Sequence, residues 1–311
     1  MRSSFSQISI HKLEVFCLVA ELGSFSLAAE RLGIAQPVVS AHIKALSAKL
    51  GVPLLSRNGR RTLLTEEGQR VHRWARDMVG RTLELEREIA DSRRGAVGKA
   101  VVGASMTVGS YMLPATISAF RQQTPKGQIS VRVTAPLTVT DEVMSGDCDF
   151  AFSILGPRHE TGGLIVERIM EEDLVLVASA ATSPSGGTLM PGDLAVLPFI
   201  SAQAGTPRRD LEDIALGQFG IRRSRIVLEF GHAEAIKQAV RAGAGLSFLF
   251  RASVRDELAS GTLREIATPG MEMRVPVYQV TRRGKKLSQF QVAVMRYLAQ
   301  GLREHAGMPA A

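Results

Sequence analysis

The chain has 311 residues, of which 45% are hydrophobic, and its formal net charge is +8. This length and composition predict two or three buried cores and argue against a single small domain. The sequence has no apolar run of the roughly 18–20 residues that a membrane span needs, and no basic segment followed by an apolar one at its start. We therefore expect a soluble, cytoplasmic protein, and the positive charge favours a polyanionic partner, although many basic surfaces are merely solvated.

The two cysteines, Cys17 and Cys148, lie far apart, and neither belongs to a CxxC motif or a Cys/His cluster. This spacing predicts buried free thiols rather than a disulfide framework or a zinc site. The basic residues are concentrated between positions 42 and 76, where only two Glu accompany them. That segment contains Lys44, Lys49, Arg57, Arg60, Arg61, Arg70, Arg73 and Arg76.

The first elements of the chain are predicted to be two helices joined by a short turn. Residues 11–22 place apolar side chains at helical spacing, which indicates a helix with one buried face. Ser24 or Ser26 can cap a short second helix over residues 27–32, and Gly33 supplies the turn that follows it. The small alanines of the second helix leave room for another helix to cross closely.

A third helix is predicted to begin at Gln36 and Pro37, because proline suits a first helical turn. Its apolar residues Val39, Ile43 and Leu46 share one face, which we expect to be buried. The polar groups on the other side have the right reach for base edges and phosphates in a major groove. We predict DNA contacts for Gln36, Pro37, Ser40, His42 and Lys44. A polar helix face is often only solvated, but the preceding short helix, the Gly turn and the basic flank favour a DNA-reading helix-turn-helix.

Residues 13–68 resemble the winged helix-turn-helix of the LysR-type transcriptional regulators. The family pattern is matched by Phe25, Ala28, Ala29, Leu32, Gln36, Pro37, Ser40, Ile43, Leu46, Leu50, Gly51, Leu54, Arg57, Arg60, Leu64, Thr65 and Gly68. Ser47 departs from the usual acidic residue and Leu55 from the usual Phe, and neither departure threatens the resemblance. The resemblance implies a wing over residues 53–65, at the end of a DNA-binding domain over residues 1–65.

The wing implied by this resemblance carries Arg57, Arg60 and Arg61, which we expect at phosphates or in the minor groove. Such contacts supply affinity and orientation but little sequence information. Thr65 is expected to cap a long helix over residues 66–94, with Glu66 and Glu67 in its first turn, where the helix dipole favours negative charge.

The long helix over residues 66–94 repeats apolar residues at spacings of three and four, the pattern of a two-helix coiled coil. The expected seam consists of Val71, Ala75, Met78, Thr82, Leu85 and Ile89. Packing of this helix on its own chain is the alternative. The resemblance favours a linker helix that joins two copies, so the expected partners include a homodimer or homotetramer, together with duplex DNA and RNA polymerase.

From residue 99 onward, β-branched runs alternate with helical stretches, which predicts an α/β domain with a mostly parallel sheet. A second unit of similar texture runs from about residue 174 to 267, followed by a strand over residues 275–280. The predicted fold is therefore α/β multidomain. An all-α winged helix-turn-helix and a long linker helix precede an effector domain over residues 95–311.

Four stretches of the effector domain follow predicted strands and open helices, where free amides and the helix dipole favour anions. Ordinary helix capping is the alternative for each stretch. The side chains that we predict at a ligand are Ser105, Met106, Thr107, Thr138, Gly205, Thr206, Arg208, His232, Ser247 and Phe248.

Residues 103–114 and 235–249 resemble the effector-binding domain of LysR-type regulators, which is similar to periplasmic solute-binding proteins. The resemblance implies a ligand cleft between one subdomain, residues 99–173 with 275–300, and another, residues 174–274. Two departures remove groups that often fix polar effectors in this family. Ala202-Gln203 stands where an Arg-Glu pair is common, and Leu155-Gly156 stands where Glu-Gly is common. We therefore expect His232 to substitute for one of the missing groups and the effector to be a small anion or carboxylate.

An enzymatic function is disfavoured by the motifs. The six histidines include no HxxxH or HExxH spacing, there is no GxSxG elbow, and the glycines at residues 243–245 lack the third member of a dinucleotide loop. We therefore predict no enzyme, no metal and no cofactor besides a small-molecule effector. The leading hypothesis is a LysR-type regulator. The alternatives are an architectural DNA binder whose α/β domain serves assembly, and a solute-binding protein without specific DNA recognition.

Overall fold

The structure of the chain, a computed structural model, describes residues 8–58, 61–93, 98–156, 161–182, 187–222 and 225–305. The chain forms two compact units, Met1–Ala96 with Met144–Asp147, and Val97–Val143 with Cys148–Ala311. No helix within these described ranges is long and apolar enough to cross a membrane.

The first unit consists of three helices, a hairpin and a long fourth helix. Its elements are α1 (Ile10–Leu22), α2 (Phe25–Leu32), α3 (Gln36–Leu50), β1 (Leu55–Asn58), β2 (Arg61–Leu64) and α4 (Glu66–Arg93). Ser24, not Ser26, caps α2, because its side chain accepts a hydrogen bond from Leu27 N at 3.3 Å. Gly33 ends α2 with a φ of 66°, a left-handed conformation that glycine adopts at little cost.

The core of the first unit lies between α1, α2 and α3. Val39, Ile43 and Leu46 of α3 are buried there, as their spacing predicts. Cys17 belongs to the same core, and burial raises the pKa of its thiol to about 12, so it stays protonated and unreactive. Cys148, in the second unit, is also a buried free thiol.

Helix α4 begins at a tightly packed junction. Thr65 Oγ1 donates to Pro53 O at 2.7 Å and accepts from Gly68 N at 2.9 Å, so Thr65 caps the helix as predicted. A Cβ atom at Gly68 would collide with the backbone of Leu54. The glycine therefore allows α4 to lie against the chain that precedes the hairpin.

The predicted seam of α4 is divided between two environments. Ala75 is fully buried in the core of its own unit, and Val71 and Met78 pack against that core. Packing on the same chain therefore accounts for the first half of the helix, and the assignment of Ala75 to an intermolecular seam was wrong. Leu85 and Ile89, by contrast, are 57% and 48% exposed.

The second unit is built on a seven-stranded sheet. Its elements are β3 (Lys99–Ser105), a π-helical turn (Val108–Met112), α5 (Leu113–Gln123), β4 (Gln128–Thr134), α6 (Pro136–Ser145), β5 (Phe150–Ile154), β6 (Leu164–Ser179), a 3-10 turn (Pro191–Ala195), β7 (Phe199–Ala202), α7 (Pro207–Gln218), β8 (Ile226–Phe230), α8 (Ala233–Arg241), β9 (Ser247–Phe250), α9 (Arg251–Ala259), β10 (Leu263–Glu265), β11 (Arg274–Arg282) and α10 (Gln289–His305).

The sheet is mixed, so the expectation of a mostly parallel sheet was wrong. Its order is β10-β6-β11-β5-β3-β4, with β9 also paired to β6, and β3 is parallel to both β4 and β5. All pairs that involve β6 or β11 are antiparallel. The chain leaves the first half of the second unit along β6 and comes back to it along β11. Because these two neighbouring strands carry the chain in opposite directions, they pair antiparallel.

The second unit has two lobes, which β6 and β11 connect. Lobe I contains β3–β5, α5, α6 and α10, and lobe II contains β7–β9 and α7–α9. In lobe II, β7 and β8 form a parallel pair, and Phe199 of β7 bridges Leu246 just before β9. The carboxyl ends of β3, β5, β7, β8 and β9 carry the residues of the cavity described below.

Candidate DNA-binding and ligand-binding sites

The outer surface of α3 carries most of the residues predicted to contact DNA. Gln36, Pro37 and Lys44 are exposed, and Ser40 is half-buried. His42 lies toward α1, because its ring packs edge-to-face on the ring of His11 with 5.2 Å between the centroids. The exposed surface that begins with Gln36 and Pro37 therefore runs through Lys44, and His42 lies on its flank.

Val38 belongs to the same surface and was missed by the sequence reasoning. Its side chain is 43% exposed on α3, and Ala41 beside it is exposed as well. Only polar side chains were predicted to contact DNA, whereas apolar groups contact the thymine methyl in a major groove. Val38 is an apolar residue that does not share the spacing of the buried residues of α3, and this departure could have identified it from the sequence.

The hairpin of β1 and β2 occupies the position of the predicted wing. The strands are antiparallel, with Arg57 opposite Thr62 and Asn58 opposite Arg61. Thr62 N donates to Gly23 O at 3.0 Å, which ties the hairpin to the end of α1. The side chains of Arg57 and Arg61, and the whole of Arg60, lie outside the described residues.

Helix α4 presents an exposed apolar stripe, which consists of Trp74, Leu85 and Ile89. These side chains are 38%, 57% and 48% exposed, respectively. The sequence interval between each residue and the next is close to a whole number of helical turns, so the three side chains lie along one side of α4. An exposed apolar stripe on a long helix is a feature of helices that pair with another helix.

A cavity of about 190 Å³ lies between the two lobes of the second unit. Its walls come from both lobes, and they include the last residue of five strands: Ser105, Ile154, Ala202, Phe230 and Phe250. This arrangement follows the rule that ligands of α/β sheets gather at the carboxyl ends of strands. Six of the ten predicted ligand contacts line the cavity, namely Ser105, Met106, Thr107, Thr206, Arg208 and His232.

The other four predicted contacts do not belong to the described lining of the cavity. Thr138 is exposed in the first turn of α6, which begins at Pro136. Gly205 is exposed before α7. Ser247 and Phe248 are buried in the middle of the sheet, where β9 pairs with β6. Prediction from strand ends placed these last two residues a few positions too early, since β9 ends at Phe250.

Two of the lining residues serve as helix caps, the alternative that the sequence left open. Thr206 Oγ1 accepts from Arg209 N at 3.3 Å and donates to Gln203 O at 2.7 Å. The Nδ1 atom of His232 accepts from Glu234 N at 3.2 Å, which caps α8. The Thr206 hydroxyl is therefore fully engaged, whereas His232 keeps a second ring nitrogen.

Arg208, in contrast, has a donor without an acceptor. Arg208 Nε lies 3.0 Å from Glu212 Oε1 and Nη2 donates to Phe248 O at 2.7 Å, but the buried Nη1 has no hydrogen-bond partner in the described part of the chain. Thr107, which is 8% exposed, lines the cavity and makes no side-chain capping hydrogen bond to the helical turn that follows it. A buried donor without an acceptor costs roughly 1–3 kcal/mol, and Arg208 Nη1 is such a donor.

A polar network joins the lobes beside the cavity. The Tyr111 hydroxyl of lobe I donates to Glu234 Oε2 of lobe II at 2.8 Å, and Lys237 Nζ lies 2.9 Å from both Glu234 and Glu257. Burial alone would raise the pKa of Glu234, but hydrogen bonds from Lys237, Gln238 and Tyr111 lower it to about 2. Glu234 is thus a carboxylate that holds the lobes together.

Comparison with known families decides the class of the protein. The family described as "Bacterial regulatory helix-turn-helix protein, lysR family" matches residues 10–69, and "LysR substrate binding domain" matches residues 93–303. Together these matches cover both units. The chain belongs to the LysR family of bacterial transcription regulators. The resemblance of residues 13–68 to this family is thereby confirmed.

Individual relatives of this LysR-family chain cover nearly its whole length. An HTH-type transcriptional regulator of Escherichia coli K12, YeiE, is 33% identical over 291 residues, which are 94% of this chain and 96% of YeiE. The LysR-family regulator CbnR, solved with its target DNA, is similar with a TM-score of 0.58 and 26% identity, over 96% of this chain and 99% of CbnR. These similarities confirm the predicted fold class, a helix-turn-helix followed by an α/β effector domain.

A third solved structure concerns the effector domain alone. The regulatory domain of CcmR from Synechocystis PCC6803, in complex with 2-PG, matches with a TM-score of 0.59 and 23% identity. The match covers 68% of this chain and the whole of that domain, and it shows a shared fold. YeiE and CbnR are both regulators, and neither similarity supports the architectural DNA binder considered above.

Proposed function

We propose that this LysR-family regulator binds an operator as a dimer or tetramer and responds to a small anion bound in the cavity between its lobes. The observation that carries the proposal is that Thr107 of lobe I and Arg208 of lobe II line one cavity at the carboxyl ends of strands from both lobes. Binding of 2-PG by the CcmR domain, which shares this fold, supports a small-molecule effector. We propose neither a catalytic role nor a bound cofactor.

The proposed DNA surface combines reading and positioning residues. Gln36, Pro37 and Ser40, at the start of α3, are assigned to base edges, together with the missed Val38. Lys44 and the wing residues Arg57, Arg60 and Arg61 are assigned to phosphates or the minor groove. His42 is assigned a flanking contact, since its ring packs on His11.

The proposed dimer contact is the apolar stripe of Trp74, Leu85 and Ile89 on α4. Pairing along this stripe would bury side chains that are exposed in a single chain, and it would fix the separation of two α3 helices on DNA. Because the partner is promoter DNA, we also propose that the regulator works in the cytoplasm and contacts RNA polymerase there.

The proposed coupling is a change in the angle between the lobes. A ligand that binds both Thr107 and Arg208 favours one lobe arrangement over another, and it shifts the population toward that arrangement. The Tyr111–Glu234 hydrogen bond also links the lobes, so it contributes to the free-energy difference between the two arrangements. The readout on DNA would be a changed spacing of the two recognition helices.

Footprinting of the full chain on its upstream DNA tests the regulator. We expect protection of a defined inverted repeat, because two copies present two α3 helices related by symmetry. Addition of an effector should lengthen or shorten the protected region. Uniform coverage of all fragments at similar protein concentration would contradict sequence-specific regulation.

Two substitutions on α3 test the division between reading and positioning. Gln36→Ala should weaken operator binding by about 1–3 kcal/mol and relax the preference at one base pair. Lys44→Ala should weaken binding to operator and unrelated DNA alike, and reduce the salt slope by about one. Lys126, exposed between α5 and β4 of the second unit, provides a matched Lys→Ala control outside the helix-turn-helix. Equal behaviour of Gln36→Ala and Lys44→Ala on both DNAs would contradict this division.

A further inference from the structure

A second cleft lies where β6, β11, α9 and α10 meet, and its described lining has no residue in common with the cavity between the lobes. We call it the hinge groove. It is lined by residues 168–173 of β6, Arg251 and Arg255 of α9, Arg274 of β11 and His305 of α10. Its volume of about 740 Å³ falls within the roughly 300–1,000 Å³ that is usual for ligand sites.

Three of the four arginines of the hinge groove are neutralised by the protein itself. Each has a carboxylate oxygen within 3.1 Å, and the pairs are Arg168–Glu171, Arg251–Glu265 and Arg274–Glu272. Asp173 lies beside two of these arginines, Arg251 and Arg274. The charges of these three arginines are therefore compensated before any ligand arrives.

Arg255 is the exception among the four arginines. Within the described part of the chain it forms no ion pair with a carboxylate, and its Nη2 atom lies 3.0 Å from Nδ1 and 2.6 Å from Nε2 of His305. A neutral imidazole has one acceptor nitrogen and a protonated imidazole has none, so the ring offers this cation at most one acceptor. Burial and the charge of Arg255 lower the pKa of His305, which keeps the ring neutral.

The buried carboxyl of the hinge groove does not compensate Arg255 either. Glu172 is 5% exposed, and its side chain accepts a hydrogen bond from Ala252 N at 2.7 Å. Burial raises the pKa of Glu172, which makes its charged form less favourable than that of an exposed carboxylate. The guanidinium of Arg255 is therefore the charge of the groove that stays available to a ligand.

We infer that the hinge groove binds a compact, doubly charged oxyanion of the phosphate or sulfate class between Arg255 and His305. The planar guanidinium donates two parallel hydrogen bonds to two oxygens of the anion. The anion also gives the imidazole an acceptor, so His305 takes up a proton when the anion binds. Two positive charges then face an anion with two negative charges.

The place of the hinge groove gives the bound anion a structural consequence. Arg255 lies on α9 of lobe II, whereas His305 lies on α10 of lobe I. An oxyanion held by both residues would bridge the lobes and favour one lobe arrangement over another. This inference concerns a second site, and it does not require that the cavity between the lobes binds an effector.

Titration calorimetry of the full chain with sulfate tests the inference. Sulfate stays a dianion between about pH 6 and pH 8, so protons taken up on binding come to the protein. Titrations in two buffers with different ionisation enthalpies count these protons. We expect uptake of close to one proton near neutral pH, and binding that tightens by about tenfold from pH 8 to pH 6. Acetate, with a single charge, should bind about tenfold more weakly than sulfate.

Variants locate the bound oxyanion. Arg255→Gln should weaken sulfate binding by about tenfold or more and remove the proton uptake, since a charged hydrogen-bond donor is lost. Arg255→Lys keeps the charge without the guanidinium fork, so its loss should be smaller. His305→Gln should abolish the proton uptake and the pH dependence, while part of the affinity remains.

Arg296→Gln is the matched control. Arg296 is exposed on α10, nine residues before His305, so it lies two and a half turns away on the opposite side of the helix. This variant should bind sulfate as the unsubstituted chain does. Sulfate that binds to the basic DNA-binding unit is common to all the variants, and it cancels when they are compared.

A phosphate ester distinguishes two sources of the oxyanion. Glycerol 3-phosphate that binds tenfold or more tightly than inorganic phosphate would indicate a phosphorylated metabolite, and equal binding would indicate the free ion. Either result supports the oxyanion class, provided that Arg255→Gln weakens it.

Other outcomes overturn the inference. Sulfate binding without proton uptake, or uptake that survives His305→Gln, would show that the ring does not hold the anion. Equal affinity of the unsubstituted chain and Arg255→Gln, together with a lowered melting temperature of the variant, would show that Arg255 and His305 only join α9 to α10. Absence of sulfate and phosphate binding would likewise show that the hinge groove is not an oxyanion site.

Discussion

The α3 surface and the lobe cavity, the two proposed binding sites, are built in opposite ways. The α3 surface is a continuous run of one helix, with Gln36, Pro37 and Lys44 exposed to solvent. The cavity is assembled from the ends of separate strands, and Thr107 and Arg208 in its walls are largely buried. The exposed α3 surface suits a rigid, highly charged polymer such as DNA. The cavity suits a small molecule that loses its hydration shell on binding.

Local sequence patterns are enough to predict available side chains on α3 but not in the cavity. On α3 the side chains have few competing partners, so a polar residue at the right spacing stays available to a ligand. In the cavity the same residue types are needed by the fold, and Thr206 and His232 cap helices there. The availability of a polar group in the cavity is therefore decided by tertiary hydrogen bonds and not by its position after a strand.

The strongest test of this contrast removes the support of α3 while leaving the cavity intact. Leu46 is fully buried in the first core, so Leu46→Ala should destabilise that unit by about 3–5 kcal/mol. Operator binding should fall with the folded fraction in gel-shift assays. The thermal shift caused by the effector should persist, because the second unit has a core of its own.

The matched control for this substitution is Leu22→Ala at the end of α1. Leu22 is 41% exposed, and its truncation should cost less than about 1 kcal/mol. Calorimetry of Leu46→Ala should show two unfolding transitions, one with a lowered melting temperature and one with an unchanged melting temperature. A single transition lowered as a whole would mean that the two units unfold together, and the contrast between them would then not extend to stability.

Smaller effects on the free energy of unfolding are expected from alanine substitutions at Gly68 and Gly217, which differ in the space around them. Gly68→Ala places a methyl group against the Leu54 carbonyl, so the first unit should lose about 1–3 kcal/mol. At Gly217, in α7 of the second unit, an added Cβ would meet no atom within 4 Å, so Gly217→Ala should gain about 0.4–1 kcal/mol. Urea midpoints measure both, and a loss at Gly217 would show an unseen packing role.

The fold was predictable where the sequence signals are local. The bounds of the first four helices follow from capping residues, glycine turns and apolar spacing, and the dense motif over residues 13–68 identified the family. The sheet was harder, because β6 and β11 pair across a long stretch of chain and make it mixed rather than mostly parallel. No local pattern records the direction in which a distant strand returns.

The site was predictable in outline but not in detail. The strand-end rule led to Ser105, Thr107 and Arg208 in the cavity, but it did not name the aromatic wall residues Phe230 and Phe250, although both are the last residues of their strands. Only hydrogen-bonding groups were predicted at the strand ends, whereas much of the cavity wall consists of apolar side chains. Ala75 was misassigned for a related reason, since apolar spacing does not tell which neighbour covers a helix face.

The smallest predicted effect concerns the loss of stability at acid pH and the polar network beside the cavity. Hydrogen bonds from Lys237, Gln238 and Tyr111 overcome the effect of burial and lower the pKa of Glu234 from its ordinary 4.5 to about 2. A carboxylate with a lowered folded-state pKa contributes stability that is complete above pH 4.5 and is lost as the pH falls toward 2. Its side chain is 40% exposed, so solvent screening limits this contribution to less than about 1 kcal/mol.

Glu234→Gln should therefore lower the free energy of unfolding at pH 7, and the difference from the unsubstituted chain should shrink as urea titrations are repeated toward pH 3. Glu172 is the matched comparison, because burial raises the pKa of this carboxyl, which accepts from Ala252 N at 2.7 Å. Its contribution has the opposite sign, present below its ordinary pKa and lost as the pH rises through the raised one. Glu172→Gln should thus gain relative stability with rising pH, and parallel curves for the two variants would contradict the assignment of Glu234 as the carboxylate that joins the lobes.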